Sequence, residues 1–475
     1  MTIRSVVLLA MFATRALAET PADPKTEWPK KLEILGQKAA KEHAAIGKWA
    51  TSKKLHNEAF PEYARAAELD PNNADAQKGL GKKLEDGAWV SDPKSPPKKG
   101  SEAPGADVPG LLEEIEKKRA EAAKKLAKDF TTLAEWAQKN GLKQEAAGLW
   151  QQIVDRYDSE SEKAHLGLAH VKEGDMWVPP EDIAKREAGA KKLKDAPKGE
   201  AVTEKSEVET ALGVSHSKRR STHFLIEGPY TDAQIAELVQ VAEAARSLFL
   251  EMIDGGAEDF PSIIHARVFK EQETYGRYVK VDPAIREQDK KAYSAAAGYP
   301  VLGPLGFAGW QGGKDWDYVR DLVAHMSVHI LFCQHFARFP YPAWLYEGIS
   351  YWVTDRMLKT AKVYCSGFST SAGGGRSHED MRGWKAEVKK MERLGQDPDM
   401  RELLSGDLSG MNMRRSMKAW SVVEWLVEER KKEFHALIGE LRSGSKPEDA
   451  VKTSLGVNTL GELDVLWERY VREKY

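Results

Sequence analysis

Two histidines four residues apart are the clearest indication of chemistry in this sequence. His325 and His329 lie within the apolar stretch 317–332. If that stretch is a helix, the spacing places both imidazoles on one face, one turn apart, where they can bind a single metal ion. A chain with 12 histidines in 475 residues gives about 0.3 such pairs by chance, so the pair alone also fits two histidines of a hydrophobic core.

A carboxylate downstream of the pair favours the metal interpretation. Glu347 lies within the sequence Trp-Leu-Tyr-Glu-Gly at 344–348. The combination of His-x-x-x-His with this segment resembles the zinc-binding segments of gluzincin metallopeptidases. The resemblance implies that His325, His329 and Glu347 bind zinc and leave a fourth position open for water.

The resemblance covers residues 216–475. The segment 222–226 is similar to the opening strand of gluzincin domains, and the segments 419–429 and 455–467 are similar to their closing helices. It implies a domain in which a small sheet is followed by a helical half.

Position 326 departs from the family pattern. Active gluzincins carry glutamate directly after the first histidine, where it takes a proton from the zinc-bound water and passes it to the leaving amine. This chain has Met326 there, and a thioether cannot transfer protons at neutral pH. General acid–base catalysis contributes roughly a hundred- to ten-thousand-fold in rate, so we predict that no efficient catalytic residue is present.

A second departure concerns the support of the ligands. Many gluzincins place an acidic residue four positions after the ligand glutamate, where it hydrogen-bonds a ligand histidine, whereas this chain has Tyr351. Such partners support metal affinity by roughly ten- to a hundredfold. Asp321 and Asp355 are the candidates to replace it.

These features predict a catalytically impaired gluzincin-like metallopeptidase, a pseudopeptidase that binds a peptide or protein in its cleft. Two alternatives stay open. One is an active zinc peptidase with a non-standard general base, and the other is a structural interaction protein in which both histidines belong to the core. The oligomeric state is not predicted.

Charge and composition exclude other classes. The 71 Lys and Arg against 73 Asp and Glu give a net charge of -2, so no overall basic character indicates binding to nucleic acid.

Residues 1–18 combine a basic start, a short apolar run and an Ala-Leu-Ala cleavage site, which predicts a signal peptide and export to the periplasm or the cell exterior. No other stretch is apolar enough for a membrane span. Cys333 and Cys365 are predicted to be buried and unpaired, and the alternative of one disulfide between them, which export would permit, stays open.

An internal similarity divides the first part of the chain. Residues 76–90 realign with residues 164–178, which brings Trp89 onto Trp177, and helical patterning precedes each copy. The copies resemble tetratricopeptide-type helical hairpins. The predicted domains are, in order, a signal peptide (1–18), repeat unit 1 (31–92), a linker and charged helix (93–130), repeat unit 2 (131–184), a solvated charged connector (185–215) and the gluzincin-like domain (216–475).

The predicted fold class is α+β and mostly helical. In the C-terminal domain the pattern predicts strands at 222–226, 263–269 and 275–281 and a helix at 232–252. Nearly everything after Asp317 is predicted to be helical.

Overall fold

The computed structural model describes residues 23–96, 108–255, 260, 262–336, 341–365 and 379–475. The predicted signal peptide and residues 97–107 of the predicted linker lie outside this part of the chain. The chain divides into two compact units, Met1–Glu173 and Gly174–Tyr475. The prediction of a mostly helical α+β protein is confirmed.

The first unit is built from helices with two strands between them and one at the end. These are α1 (Pro24–Ser52), α2 (His56–Leu69), α3 (Ala74–Gly79), β1 (Lys82–Glu85), β2 (Ala88–Ser91), α4 (Val108–Lys139), α5 (Lys143–Gln152), α6 (Glu162–Gly167) and β3 (Val171–Glu173). A π-helical turn, Ile153–Tyr157, follows α5 directly. Helix α1 packs along α2 and α4, and α4 packs along α5.

The internal similarity has a structural counterpart in these elements. Helices α2 and α5 both begin after a leucine, each followed by a short helix, α3 or α6. A Cβ on Gly79 of α3 would lie 2.4 Å from the ring of Tyr63, and a Cβ on Gly167 of α6 would lie 2.4 Å from Trp150. Each short helix therefore needs glycine to approach an aromatic ring of the preceding helix.

The π-helical turn explains why the two copies do not align at one fixed offset. The starts of α2 and α5, at His56 and Lys143, are one residue closer in sequence than Gly79 and Gly167. A π turn inserts one extra residue into a helix, and Ile153–Tyr157 supplies it in the second copy. Both tryptophans of the alignment lie on strands that follow the short helices, Trp89 on β2 and Trp177 on a strand at 176–178, rather than closing purely helical hairpins.

The second unit combines a sheet with many helices. Its strands are β4 (Met176–Val178), β5 (Glu200–Ala201), β6 (Ser217–Arg220), β7 (Phe224–Gly228), β8 (Ile264–Phe269), β9 (Gly298–Leu302) and β10 (Leu305–Trp310). Six of these strands form one sheet in the order β5-β6-β7-β8-β10-β9. β7, β8 and β10 are parallel, with Ala266 of β8 paired to Ile226 on one side and Phe307 on the other, and the outer pairs are antiparallel.

The helices of this unit surround and follow the sheet. They are α7 (Pro180–Asp195), α8 (Glu207–Leu212), α9 (Asp232–Ile253), α10 (Gln272–Val281), α11 (Lys290–Ala295), α12 (Trp316–Phe336), α13 (Ala343–Leu358), α14 (Trp384–Arg393), α15 (Met400–Ser405), α16 (Met413–Glu429), α17 (Lys431–Ser443), α18 (Pro447–Leu455) and α19 (Leu460–Lys474). Helix α12 packs against α9 and α13, and α13 packs against α7 and α16. These contacts make α12 and α13 the centre of the largest core.

The predicted strand at 275–281 is wrong, because these residues lie in α10. Tyr275, Tyr278 and Val279 are buried, a spacing of three and four residues that belongs to a helix. The high content of tyrosine and valine favoured a strand, but the segment folds as a helix that buries one face.

The predicted connector at 185–215 also differs from the structure. The second unit begins at Gly174, before the predicted boundary at 216, and α7 extends into the supposed connector. Arg186 of α7 is buried and donates hydrogen bonds from Nε and Nη2 to Oδ1 of Asp355 at 3.1 and 2.9 Å. Composition shows that a segment is charged. It does not show whether one of its charged side chains has a buried partner elsewhere in the chain, and the segment is solvated only if none has.

This buried ion pair gives a stability prediction. We expect Arg186→Met to lower the free energy of unfolding of the second unit by about 3–5 kcal/mol, because the Asp355 carboxylate is left buried without its partner. Urea titration of the full chain, followed by tryptophan fluorescence, measures the change. Lys191→Met, on the exposed face of the same helix, is the matched control and should change little, since its pair with Asp195 is exposed. Equal losses in both variants would contradict the prediction.

Within the described residues, no helix combines the length and the apolar character needed to cross a bilayer.

Candidate metal centre

Helix α12 carries both histidines through the core of the second unit. Residues 321–333 are buried without interruption, which is typical of a helix enclosed on all sides. His325 and His329 are both 0% exposed. Polar side chains in such a position need partners, because burying them without one costs free energy.

Helix α13 supplies the third predicted residue. It begins after Pro342 and runs alongside α12, so Glu347 lies in its second turn and is only 1% exposed. The adjacent Gly348 allows α16 to approach, because a Cβ there would lie 2.7 Å from the carbonyl oxygen of Ala419. The Glu-Gly pair of the sequence motif therefore places a carboxylate and a close helix contact side by side.

The three predicted residues converge. The Nε2 atom of His325 lies 3.6 Å from Oε2 of Glu347, and Nε2 of His329 lies 3.2 Å from Oε1. The two imidazole rings are 4.4 Å apart and nearly perpendicular. The expected convergence on one point is present, and the role of these residues as metal ligands stays a prediction.

A fourth donor, which the sequence interpretation missed, joins this group. Sγ of Cys365 lies 3.2 Å from Nε2 of His329 and 3.5 Å from Nε2 of His325. One donor atom from each of His325, His329, Glu347 and Cys365 lies within 4.8 Å of the others. Neither Cys365 nor Cys333 forms a disulfide, and Cys333 is buried as predicted, whereas Cys365 is only partly buried.

Burial and the neighbouring side chains shift the pKa values of Glu347 and His329. Neither oxygen of Glu347 accepts a hydrogen bond from the described residues. Burial alone would raise the pKa of Glu347, but the two imidazoles hold this pKa well below its ordinary value. Burial, and then His325, lowers the pKa of His329 to about 4. At neutral pH the cluster therefore presents a carboxylate and a neutral imidazole, which are the protonation states that bind metals.

Ser350 fixes the tautomer of one imidazole. Its hydroxyl donates to the carbonyl oxygen of Tyr346 at 3.1 Å, and its oxygen lies 3.1 Å from Nδ1 of His329. With the hydroxyl proton directed to Tyr346, the serine oxygen accepts from an Nδ1–H of His329, and in this tautomer Nε2 accepts from the thiol of Cys365. The ring of Tyr346 stacks on His329 with centroids 3.5 Å apart, which holds the imidazole plane.

We expect Ser350→Ala to weaken metal binding roughly ten- to a hundredfold, since it removes the hydrogen bond that orients His329. Competition with a zinc chelator of known affinity measures the change. Ser327→Ala is the matched control, because Ser327 is equally buried on α12 and its hydroxyl has no hydrogen-bond partner among the described residues. The same loss in both variants would show that Ser350 acts only through packing.

Neither predicted acidic substitute contacts the histidines through a hydrogen bond. Asp355 is paired with Arg186. Asp321 accepts from Thr360 Oγ1 and from the backbone N–H of Lys362, both at 2.9 Å, and Nδ1 of His325 has no hydrogen-bond partner in the described part of the chain. The sequence did not predict that a serine would support His329 in place of an acid.

Met326 is buried in the same core, with 3% of its surface exposed. The side chain at the position of the family's general base is therefore apolar and enclosed. A methionine at this position of α12 cannot accept a proton from water.

The cluster can hold a metal ion, and its chemistry fits zinc. Imidazole nitrogen, carboxylate oxygen and cysteine sulfur are all zinc ligands. The Glu347 carboxylate, which accepts no hydrogen bond from the described residues, gains a partner if a cation lies beside it, and Nε2 of His329 then exchanges the thiol of Cys365 for that cation. These four side chains could hold a metal ion.

Searches of protein-family models and of curated proteins found no match to this chain. The gluzincin resemblance therefore depends on the sequence motifs and stays a prediction.

Proposed function

We propose that this chain is an exported, catalytically impaired gluzincin-like metallopeptidase that binds zinc and holds a peptide or protein without cutting it efficiently. One observation carries the proposal. Two buried imidazole nitrogens converge on a buried carboxylate that accepts no hydrogen bond from the described part of the chain, while the adjacent base position holds a thioether.

Zinc binding is supported by the donor set. His325, His329 and Glu347 are the combination that gluzincins use, and they converge from two packed helices. Zinc would polarise a carbonyl group when bound. In this chain His325 and His329 would act as neutral ligands, and Glu347 would balance part of the charge.

The loss of efficient catalysis is supported by Met326. Peptide hydrolysis needs a group that accepts a proton from the attacking water and returns it to the amine. A buried thioether does neither. Export is supported by the sequence of residues 1–18, and a peptide ligand is supported by the family resemblance.

A mixed peptide library, incubated with the zinc-loaded mature protein, tests the proposal. We expect peptides to be retained on the immobilised protein and recovered intact by mass spectrometry. His325→Ala serves as the control for dependence on the metal. Efficient cleavage by the wild type that disappears in His325→Ala would overturn the proposal in favour of an active peptidase.

A further inference from the structure

We propose that Cys365 is the fourth ligand of the metal centre, so that four protein side chains enclose the ion and the position open in a catalytic site is filled. This inference rests on the proposed zinc site and changes it from a site with three protein ligands to one with four. Structural zinc sites use four protein ligands, whereas catalytic sites use three and leave one position open.

The distances between donor atoms support a four-ligand arrangement. Zn–S bonds of about 2.3 Å and Zn–N bonds of about 2.0–2.1 Å place tetrahedral sulfur and nitrogen ligands about 3.5 Å apart, and nitrogen and oxygen ligands about 3.3 Å apart. The sulfur of Cys365 lies 3.2 and 3.5 Å from the two imidazole nitrogens. The carboxylate oxygens of Glu347 lie 3.2 and 3.6 Å from the same nitrogens.

The chain holds Cys365 in this place through contacts made before it. Helix α13 ends at Leu358. The next residue, Lys359, has a positive φ of 62°, and the chain turns back toward α12. Thr360 and Lys362 then donate hydrogen bonds to Asp321 of α12, one turn before His325. The segment that carries the thiol is therefore tied to the helix that carries the histidines, and Asp321 acts as its anchor.

Charge balance also favours a sulfur ligand. A divalent ion held by two neutral imidazoles and one carboxylate keeps a net positive charge, and burying such a charge is costly. A thiolate as the fourth ligand makes the centre neutral. In forming it, the thiol gives its proton to solvent as the S–metal bond forms, with no oxidation or reduction.

Cobalt(II) is the probe for this ligand, because it replaces zinc and gives an intense near-ultraviolet sulfur-to-cobalt charge-transfer band only when a thiolate is bound. We expect the metal-depleted full chain to bind one cobalt ion and to develop this band. Cys365→Ser should lose the band and bind cobalt more weakly, by more than the roughly ten- to a hundredfold that loss of an outer-shell partner costs. Cys333→Ser, which changes the other cysteine, should keep the band.

A second measurement does not depend on a variant. Zinc should slow the reaction of Cys365 with a thiol-alkylating reagent in the wild-type protein, as read by peptide mass spectrometry. Cobalt binding without the band, or with the same band in Cys365→Ser, would overturn this inference and leave the zinc proposal standing. Failure of the wild type to bind cobalt or zinc at all would overturn both.

Discussion

His325→Ala and His329→Ala should each remove nearly all of the metal from the purified protein, whereas the wild type should carry about one zinc ion per chain after loading with zinc. Each histidine supplies one of the converging donor atoms, and a buried site cannot recruit solvent in its place without opening the core. Elemental analysis of the desalted proteins measures the content directly.

His335→Ala is the matched control for this experiment. His335 lies on the same helix, α12, but its ring stacks on Phe260 and it is not one of the four donors. Its replacement should leave the metal content unchanged. If His325→Ala keeps as much zinc as the wild type, or if the loaded wild type carries none, the metal site is wrong and the two histidines are core residues.

Restoring peptidase activity should require two changes rather than one. Met326→Glu supplies a proton-transfer group, for which the ceiling is about two to four orders of magnitude in rate. If Cys365 fills the fourth position, this variant alone should gain little. The double variant Met326→Glu/Cys365→Ala should show the gain, although an error of ~1 Å in the position of the new carboxylate can remove about a hundredfold of it.

Met326→Gln and Met326→Gln/Cys365→Ala are the controls, because glutamine buries a similar polar group without a proton-accepting carboxylate. Cleavage of a peptide library by the zinc-loaded proteins gives the rates, and thermal unfolding shows whether the buried Glu is tolerated, since Met326 is only 3% exposed. An equal gain in the single and double glutamate variants would show that Cys365 does not block the site. No gain in either, with zinc bound, would place the loss elsewhere in the site.

The sequence predicted the helical part of this site because its signals are local. The spacing of His325 and His329 and the apolar character around them both follow from helix periodicity. Glu347 was located only through the resemblance to a family motif, because no periodicity relates residues on two different helices.

Cys365 could not be predicted in the same way. It follows a helix end in an irregular segment, and its position depends on two hydrogen bonds to Asp321. No spacing rule relates such a residue to a histidine on another element. For the same reason the burial of Arg186 was missed, since its partner Asp355 is far away in sequence.

The π-helical turn at Ile153–Tyr157 has a consequence for how the two copies can be compared. The extra residue lies inside the second copy. The starts of α2 and α5 therefore match at one sequence offset, and the pairs Gly79–Gly167 and Trp89–Trp177 match at an offset one residue longer. A comparison of the two copies at one fixed sequence offset therefore detects only half of the resemblance. The copies share a geometry without sharing a sequence period, so an alignment that joins both halves must place its gap within a helix.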